Sequence, residues 1–230
     1  MPGRGEPGRT VAMRQSATGA GPRAGLDAGS SATARRGGSR YRGRVHEVDD
    51  VANPPVRQVS SRLVYRNEWL ALREDEVERA DGSRGIYSVV DRPDYALVLA
   101  YERDGFHLVD QYRYPVAARH WEFPQGCFPN WASGAPADLA RAELAEETGL
   151  RAGSMRHLGN LFGWHGASPQ ACDVFLATDL VAGEPDREPS EQDMRHRWFP
   201  RAEVERMIRD GEIKDNSTLA AYALFLLRER

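Results

Sequence analysis

The apolar and polar positions divide this chain into stretches of different character. Over residues 1–45, Gly, Ala, Ser and Arg follow neither the 3.6-residue recurrence of a helix nor the alternation of a strand, and a disordered tail is expected. From "NPP" at 53–55 the pattern changes. Segment 61–66, "SRLVYR", has strand composition. Segment 70–92 reads as a hairpin: Leu72 and Val77 flank a charged stretch, "DGS" at 81–83 turns the chain, and "GIYSVV" returns. "YALVLAYE" (95–102) is apolar enough for a buried strand, and "RDG" then turns it into "FHLVDQYRY" (106–114).

A long loop is expected over 115–134. A helix follows, with Pro136 in its first turn, an apolar stripe of Leu139, Ala140 and Leu144, and Gly149 at its stop. Strands are predicted near 157–163 and 172–177, an acidic loop over 180–193, and a further strand over 194–199. Two helices close the chain. The first turns Val204, Met207 and Ile208 to one side and stops at Gly211; the second is capped by Asp215, Asn216 or Ser217. Many short strands, one central helix and two terminal helices predict an α+β fold or an α/β/α sandwich. The expected division is a tail over 1–45, an N-terminal antiparallel β subdomain over 46–93 and a main domain over 94–230.

Charge sharpens this division. Residues 1–45 carry nine arginines against two acids, a net of +7; the remainder carries 22 bases against 32 acids, a net of −10. The acidic body argues against nucleic-acid binding by the folded part. A basic arm touching nucleic acid, an idle tail and a misassigned start all suit the first 45 residues, which lack the apolar stretch of a secretory signal. Cys127 and Cys172 make no disulfide framework, so a reducing, cytoplasmic setting is expected. His165 and Cys172 lack partners at metal-ligand spacing and read as packing residues. The longest apolar run, "LAAYALFLL" (219–227), is far short of the ~20 residues that span a bilayer, and no membrane segment is expected.

The chemistry lies in "ARAELAEETGL", residues 140–150. Glu143, Glu146 and Glu147 fall on one helix face, near the end where the helix dipole disfavours anions. Each like-charge pair costs a few tenths of a kcal/mol. A divalent cation reverses that sign, because carboxylates are the ligands Mg²⁺ takes. The same spacing suits a solvated helix face, so the flanking residues must decide.

"AELAEETGL", with "FPQG" upstream, resembles the Nudix hydrolase box, a glycine followed at fixed spacing by R-E-U-x-E-E-x-G-U, with U aliphatic. Glu143 to Leu150 fill its last eight places and Gly126 its first, with two extra residues between. Ala142 stands in the arginine place, with Arg141 adjacent, and Gly134 in the first glutamate place. "QYRYPV", "WEFPQG" and the ending "RAEVERMIRDGEIKDNSTLAAYALFLL" extend the likeness over roughly 57–228, towards the family's ADP-ribose pyrophosphatase-like branch.

That resemblance implies a Nudix-type α/β/α sandwich that hydrolyses a nucleoside diphosphate linked to another group. It implies Glu143, Glu146 and Glu147 as ligands of Mg²⁺ (or Mn²⁺), with a backbone carbonyl near Gln125 and Gly126. It also implies a catalytic carboxylate from the late acidic loop, Glu191 or else Glu188, acting alongside Glu147. Arg113 is a candidate for a substrate phosphate, and Trp121 and Glu122 for substrate recognition; Trp131, in the longer loop, is a further stacking candidate. An ordinary strand-edge arginine is the competing role for Arg113, and core packing for Trp121. Whether Arg141 substitutes for the missing box arginine stays open. Many ADP-ribose hydrolases carry a proline where this chain has His165, so other nucleoside diphosphate derivatives, and a decayed ligand-sensing module, stand as alternatives. Members of this branch are commonly homodimers, and residues 58–92 are placed to pair two copies.

Overall fold

The computed structural model describes residues 54–187 and 191–229. The expectations for residues 1–45, and for Glu188, lie outside these.

Three antiparallel strands come first: β1 (Val56–Arg66), β2 (Ala71–Arg79) and β3 (Arg84–Asp91), ordered β1-β2-β3. The Asp81–Ser83 turn closes the second hairpin, with Gly82 at φ 81° and the Ser83 N–H donating to Asp81 Oδ1 at 2.9 Å.

The main sheet is mixed. Its path runs β10-β5-β4-β9-β8, formed by β4 (Tyr95–Glu102), β5 (Gly105–Arg113), β8 (Arg151–Phe162), β9 (Ala171–Val181) and β10 (Arg195–Pro200). β4 and β9 are parallel, and the other neighbours antiparallel. Successive side chains of a strand point to opposite faces. On β4 this sends Leu97 and Leu99 to one core and Ala96, Val98 and Ala100 to the other. The first core lies under α2 (Arg201–Arg209) and α3 (Asn216–Arg228), where Phe106 is ringed by Tyr101, Phe123, Tyr222 and Phe225. The second lies under α1 (Pro136–Thr148), which buries Leu139, Ala140 and Leu144. The result is the expected α/β/α sandwich, preceded by an antiparallel sheet.

The 115–134 segment departs from expectation. It is not all loop: β6 (Ala118–Glu122) pairs with β5, and β7 (Gln125–Cys127) pairs with β4. These strands are short and lack alternation; they form because β4 and β5 present edges to them. β8 and β9 also outrun their predicted limits. His165 is exposed, not packed, whereas Cys172 is fully buried. The 219–227 run lies within α3, and among the described residues no helix is long and apolar enough to cross a membrane.

Candidate active site

The helix α1 is held at its C-terminal end by an element forty residues away. Gly149 takes the left-handed conformation (φ 77°) that stops the helix, and a β-carbon there would run into the Gly183 carbonyl and the Pro185 nitrogen. The N–H of Asp186 donates to the Glu146 carbonyl at 3.1 Å, and Arg187 Nε donates to the Glu147 carbonyl at 3.1 Å. The last turn of α1 contains no basic residue of its own. Arg187 brings a positive charge to the negative end of the dipole, offsetting the mismatch that three glutamates create there.

The glutamates differ in depth. Glu147 is 2% exposed, while Glu143 and Glu146 are partly buried. Glu147 Oε2 accepts from the Gln125 N–H at 3.2 Å, which joins α1 to β7. The Glu143 carboxylate lies so close to Gly126 that a β-carbon there would overlap it. Glu143, Glu147 and the Gln125–Gly126 backbone therefore meet along one seam. Burial holds the Glu147 carboxyl well above the usual range, and the charges of Glu143, Glu191 and Glu122 push it further, against a weaker pull from Arg113. A carboxylate sealed among carboxylates gains most from a cation, so the donor set fits a divalent metal. Among the described residues no three Asp, Glu, His or Cys groups close into a ready-made cage. Mg²⁺ requires none: it keeps several waters and completes its coordination with substrate phosphates.

The floor of the seam is built by α3. Asp215, one of the three capping candidates, accepts from the Thr218 N–H at 2.7 Å, and its Oδ2 also accepts from Gln125 Nε2 at 3.2 Å. Thr218 Oγ1 accepts from the Phe123 N–H at 3.0 Å. The start of α3 thereby fixes the "EFPQG" turn beneath the glutamates.

Arg113 and Glu122 meet each other. Arg113 donates through two nitrogens to both carboxylate oxygens, with Nε at 3.3 Å from Oε2. Glu122 is buried and the Arg113 side chain is 42% exposed. Burial, opposed by Arg113, pushes the Glu122 carboxyl up to about 7. Trp121 is partly buried and packs edge-on against Phe199, with centroids 4.8 Å apart. Trp131 docks on the N-terminal sheet, donating to the Asn67 carbonyl at 3.3 Å beneath the Arg66 guanidinium. Arg141 donates to the Ala152 carbonyl at 2.7 Å and so ties α1 to β8.

Glu191 opens a tight turn closed by the Met194 N–H on its carbonyl at 2.9 Å. Its charge is one of those that raise the Glu147 carboxyl. Two arginines around this turn, Arg119 and Arg187, escaped the sequence reading. Neither falls in a motif, and both act on residues distant in the chain.

Residues 56–90 match the nucleoside diphosphate sugar hydrolase N-terminal domain, and residues 91–222 match the NUDIX domain. An ADP-ribose pyrophosphatase of Mycobacterium tuberculosis (strain ATCC 25618 / H37Rv) is 33% identical over 173 residues, covering 74% of this chain and 83% of that protein. A solved structure described as an ADP compounds hydrolase superposes with a TM-score of 0.66 over 76% of this chain and 92% of that one; at 20% identity it speaks for the fold alone. With the NUDIX domain spanning residues 91–222, more than half of the chain, this chain belongs to the Nudix hydrolase family.

Proposed function

We propose that this Nudix pyrophosphohydrolase cleaves the diphosphate of ADP-ribose or a related nucleoside diphosphate sugar, with Mg²⁺ as its metal. The observation that carries the reading is the burial of Glu147 against Gln125, beside Glu143 and Gly126. Glu143, Glu146 and Glu147 would hold the cation, with a backbone carbonyl at Gln125 or Gly126. A cation bound there neutralises the diphosphate and lowers the pKa of a nearby water.

The protein groups do the rest. Glu191 orients the attacking water and takes its proton. The water oxygen bonds to one phosphorus, the bridging P–O bond breaks, and a nucleoside monophosphate and a sugar phosphate leave. Glu188 is the second choice for that base. Arg113, half-exposed and steadied by Glu122, is the best-placed phosphate contact, since a guanidinium has five donors and Glu122 takes two. The ring of Trp121, packed on Phe199, suits a supporting role in the site wall.

Product analysis of ADP-ribose incubated with the protein and Mg²⁺, with and without chelator, tests this. AMP and ribose phosphate that vanish with chelator are expected. Binding without turnover would instead favour a decayed sensing module. A second reading, another nucleoside diphosphate derivative as substrate, is favoured by exposed His165 and by Trp131 on the longer loop; a substrate panel separates the two.

The enzyme acts as a homodimer paired through its N-terminal sheet. Every residue of β1 is exposed, including Leu63, Val64 and Tyr65, and Ile86 on β3 is exposed as well. Light scattering that returns a monomer mass would remove this assignment. The two cysteines, too few for a disulfide framework, suit a reducing, cytoplasmic setting.

A further inference from the structure

Arg119, on β6, makes four hydrogen bonds around the turn that Glu191 opens. Its Nε donates to Asp110 Oδ2 at 3.0 Å and one terminal nitrogen to the Asp110 carbonyl at 2.9 Å. The same terminal nitrogen reaches the Asp193 carbonyl at 2.8 Å, and the other reaches Asp193 Oδ2 at 2.6 Å. Asp110 on β5 pairs with Trp121 of β6 and with Arg195 at the start of β10. Since β6 and β10 both pair with this part of β5, they lie on its opposite edges. The guanidinium therefore spans β5, from one neighbouring strand to the turn that feeds the other.

We infer that Arg119 is a positioning residue, and that its grip on Asp193 sets Glu191 at the glutamate seam. This rests on the reading of Glu191 as the catalytic base. Asp193 lies two residues past Glu191, inside the turn closed by the Met194 N–H on the Glu191 carbonyl. Arg187 holds the far end of that turn, donating to the Met194 carbonyl at 2.5 Å and to the Glu147 carbonyl. The turn is thus fastened to the sheet by one arginine and to the metal-binding helix by another. Stability alone gives a poor account of the Asp193 contact. The Asp193 side chain is 62% exposed, and exposed ion pairs contribute little. A planar fork with fixed donor directions does define where a backbone turn sits. Misplacement of a base by about 1 Å costs up to about a hundredfold in rate.

The test compares Asp193→Ala, Arg119→Ala, Glu191→Gln and the Asp193→Ala/Glu191→Gln double variant in the full chain, with ADP-ribose and Mg²⁺. Glu191→Gln is expected to lower kcat by about 100-fold or more. Asp193→Ala and Arg119→Ala should each lower kcat about tenfold, with KM and the Mg²⁺ concentration for half activity within about twofold of wild type. The double variant should be no slower than Glu191→Gln, because a base already removed cannot be misplaced. Removing Arg119 also strips buried Asp110 of its closer ion pair and leaves it only Arg195 at 4.0 Å, so if Arg119→Ala fails to fold, the surface variant Asp193→Ala decides. Wild-type kcat in Asp193→Ala while Glu191→Gln is slow overturns the positioning role alone, as do effects that multiply in the double variant. Wild-type kcat in Glu191→Gln overturns the base reading and the positioning role with it.

Discussion

The Gln125 N–H donates to Glu147 Oε2 at 3.2 Å, so the backbone that opens the Nudix box and its last glutamate are in direct contact although 22 residues separate them. The bond fixes one carboxylate oxygen of a buried side chain and leaves the other directed by its surroundings. Those surroundings are negative: Glu143, Glu191 and Glu122 all raise the cost of charge at Glu147.

Replacing Glu147 by Gln keeps the shape and removes the charge. Turnover should fall by about 100-fold or more if Glu147 is, as proposed, a ligand of the cation. The metal-free variant should melt no lower than wild type, because a repelled buried charge has gone. Mg²⁺ should raise the Tm of wild type and raise that of the variant less, as binding to the native state alone requires. Calorimetry with and without Mg²⁺ reads both; an equal shift in the two proteins would remove Glu147 from the ligand set.

Gly126→Ala probes the other side of the seam. Its φ is not left-handed, so alanine meets no backbone penalty, but the new methyl overlaps the Glu143 carboxylate. The fold should survive while Glu143 is displaced. The Mg²⁺ concentration for half activity should rise by about tenfold or more, in the range for a disturbed ligand environment. An unchanged metal titration would place Glu143 outside the site.

Gly149→Ala should be costly for a different reason. The left-handed φ of 77° strains any residue with a β-carbon, and here that carbon would strike the Gly183 carbonyl and Pro185. A loss of about 1–3 kcal/mol is expected, more than strain alone, because the crowding atoms are backbone. Urea unfolding checks it: the midpoint should fall with the slope unchanged.

Glu122 carries a pH signature. Burial pushes its carboxyl up to about 7 from 4.5, with Arg113 opposing. The unfolded chain releases this proton near pH 4.5 and the folded protein near 7, so the native state holds the extra proton between them. The contribution of Glu122 to stability is therefore greatest below about pH 4.5, falls as pH rises to about 7, and is level above that. Glu122→Gln lacks this loss. Its Tm relative to wild type should climb between about pH 5 and pH 7 and then hold. A difference that narrows across that interval contradicts the assignment.

Much of the architecture could be read from short windows of the chain. Pro136, the Leu139–Ala140–Leu144 stripe and Gly149 mark the start, buried face and stop of α1, and the structure bounds the helix at Pro136–Thr148. The "DGS" and "RDG" turns bounded their hairpins for the same reason: turn preference and side-chain period are properties of neighbouring residues. Assembly set the remainder. β6 and β7 have no pattern of their own and exist as partners of β5 and β4. Helix spacing put three glutamates on one face, but that Glu147 alone is sealed from water follows from β7 lying against α1. His165 and Cys172 looked alike as unpartnered residues, yet one is exposed and the other buried.

The arginines show the division most clearly. Ala142 and Arg141 announced a departure in the box, and no local rule says where the stabilising charge went. It comes from Arg187, forty residues beyond Glu147, while the turn bearing Glu191 is gripped by Arg119, 74 residues from its partner Asp193. Local pattern specified which elements form and which residue types could bind a cation. Depth of burial and the pairing of distant charges arose only when the layers closed, because desolvation and Coulomb attraction depend on distance in space, not on separation along the chain.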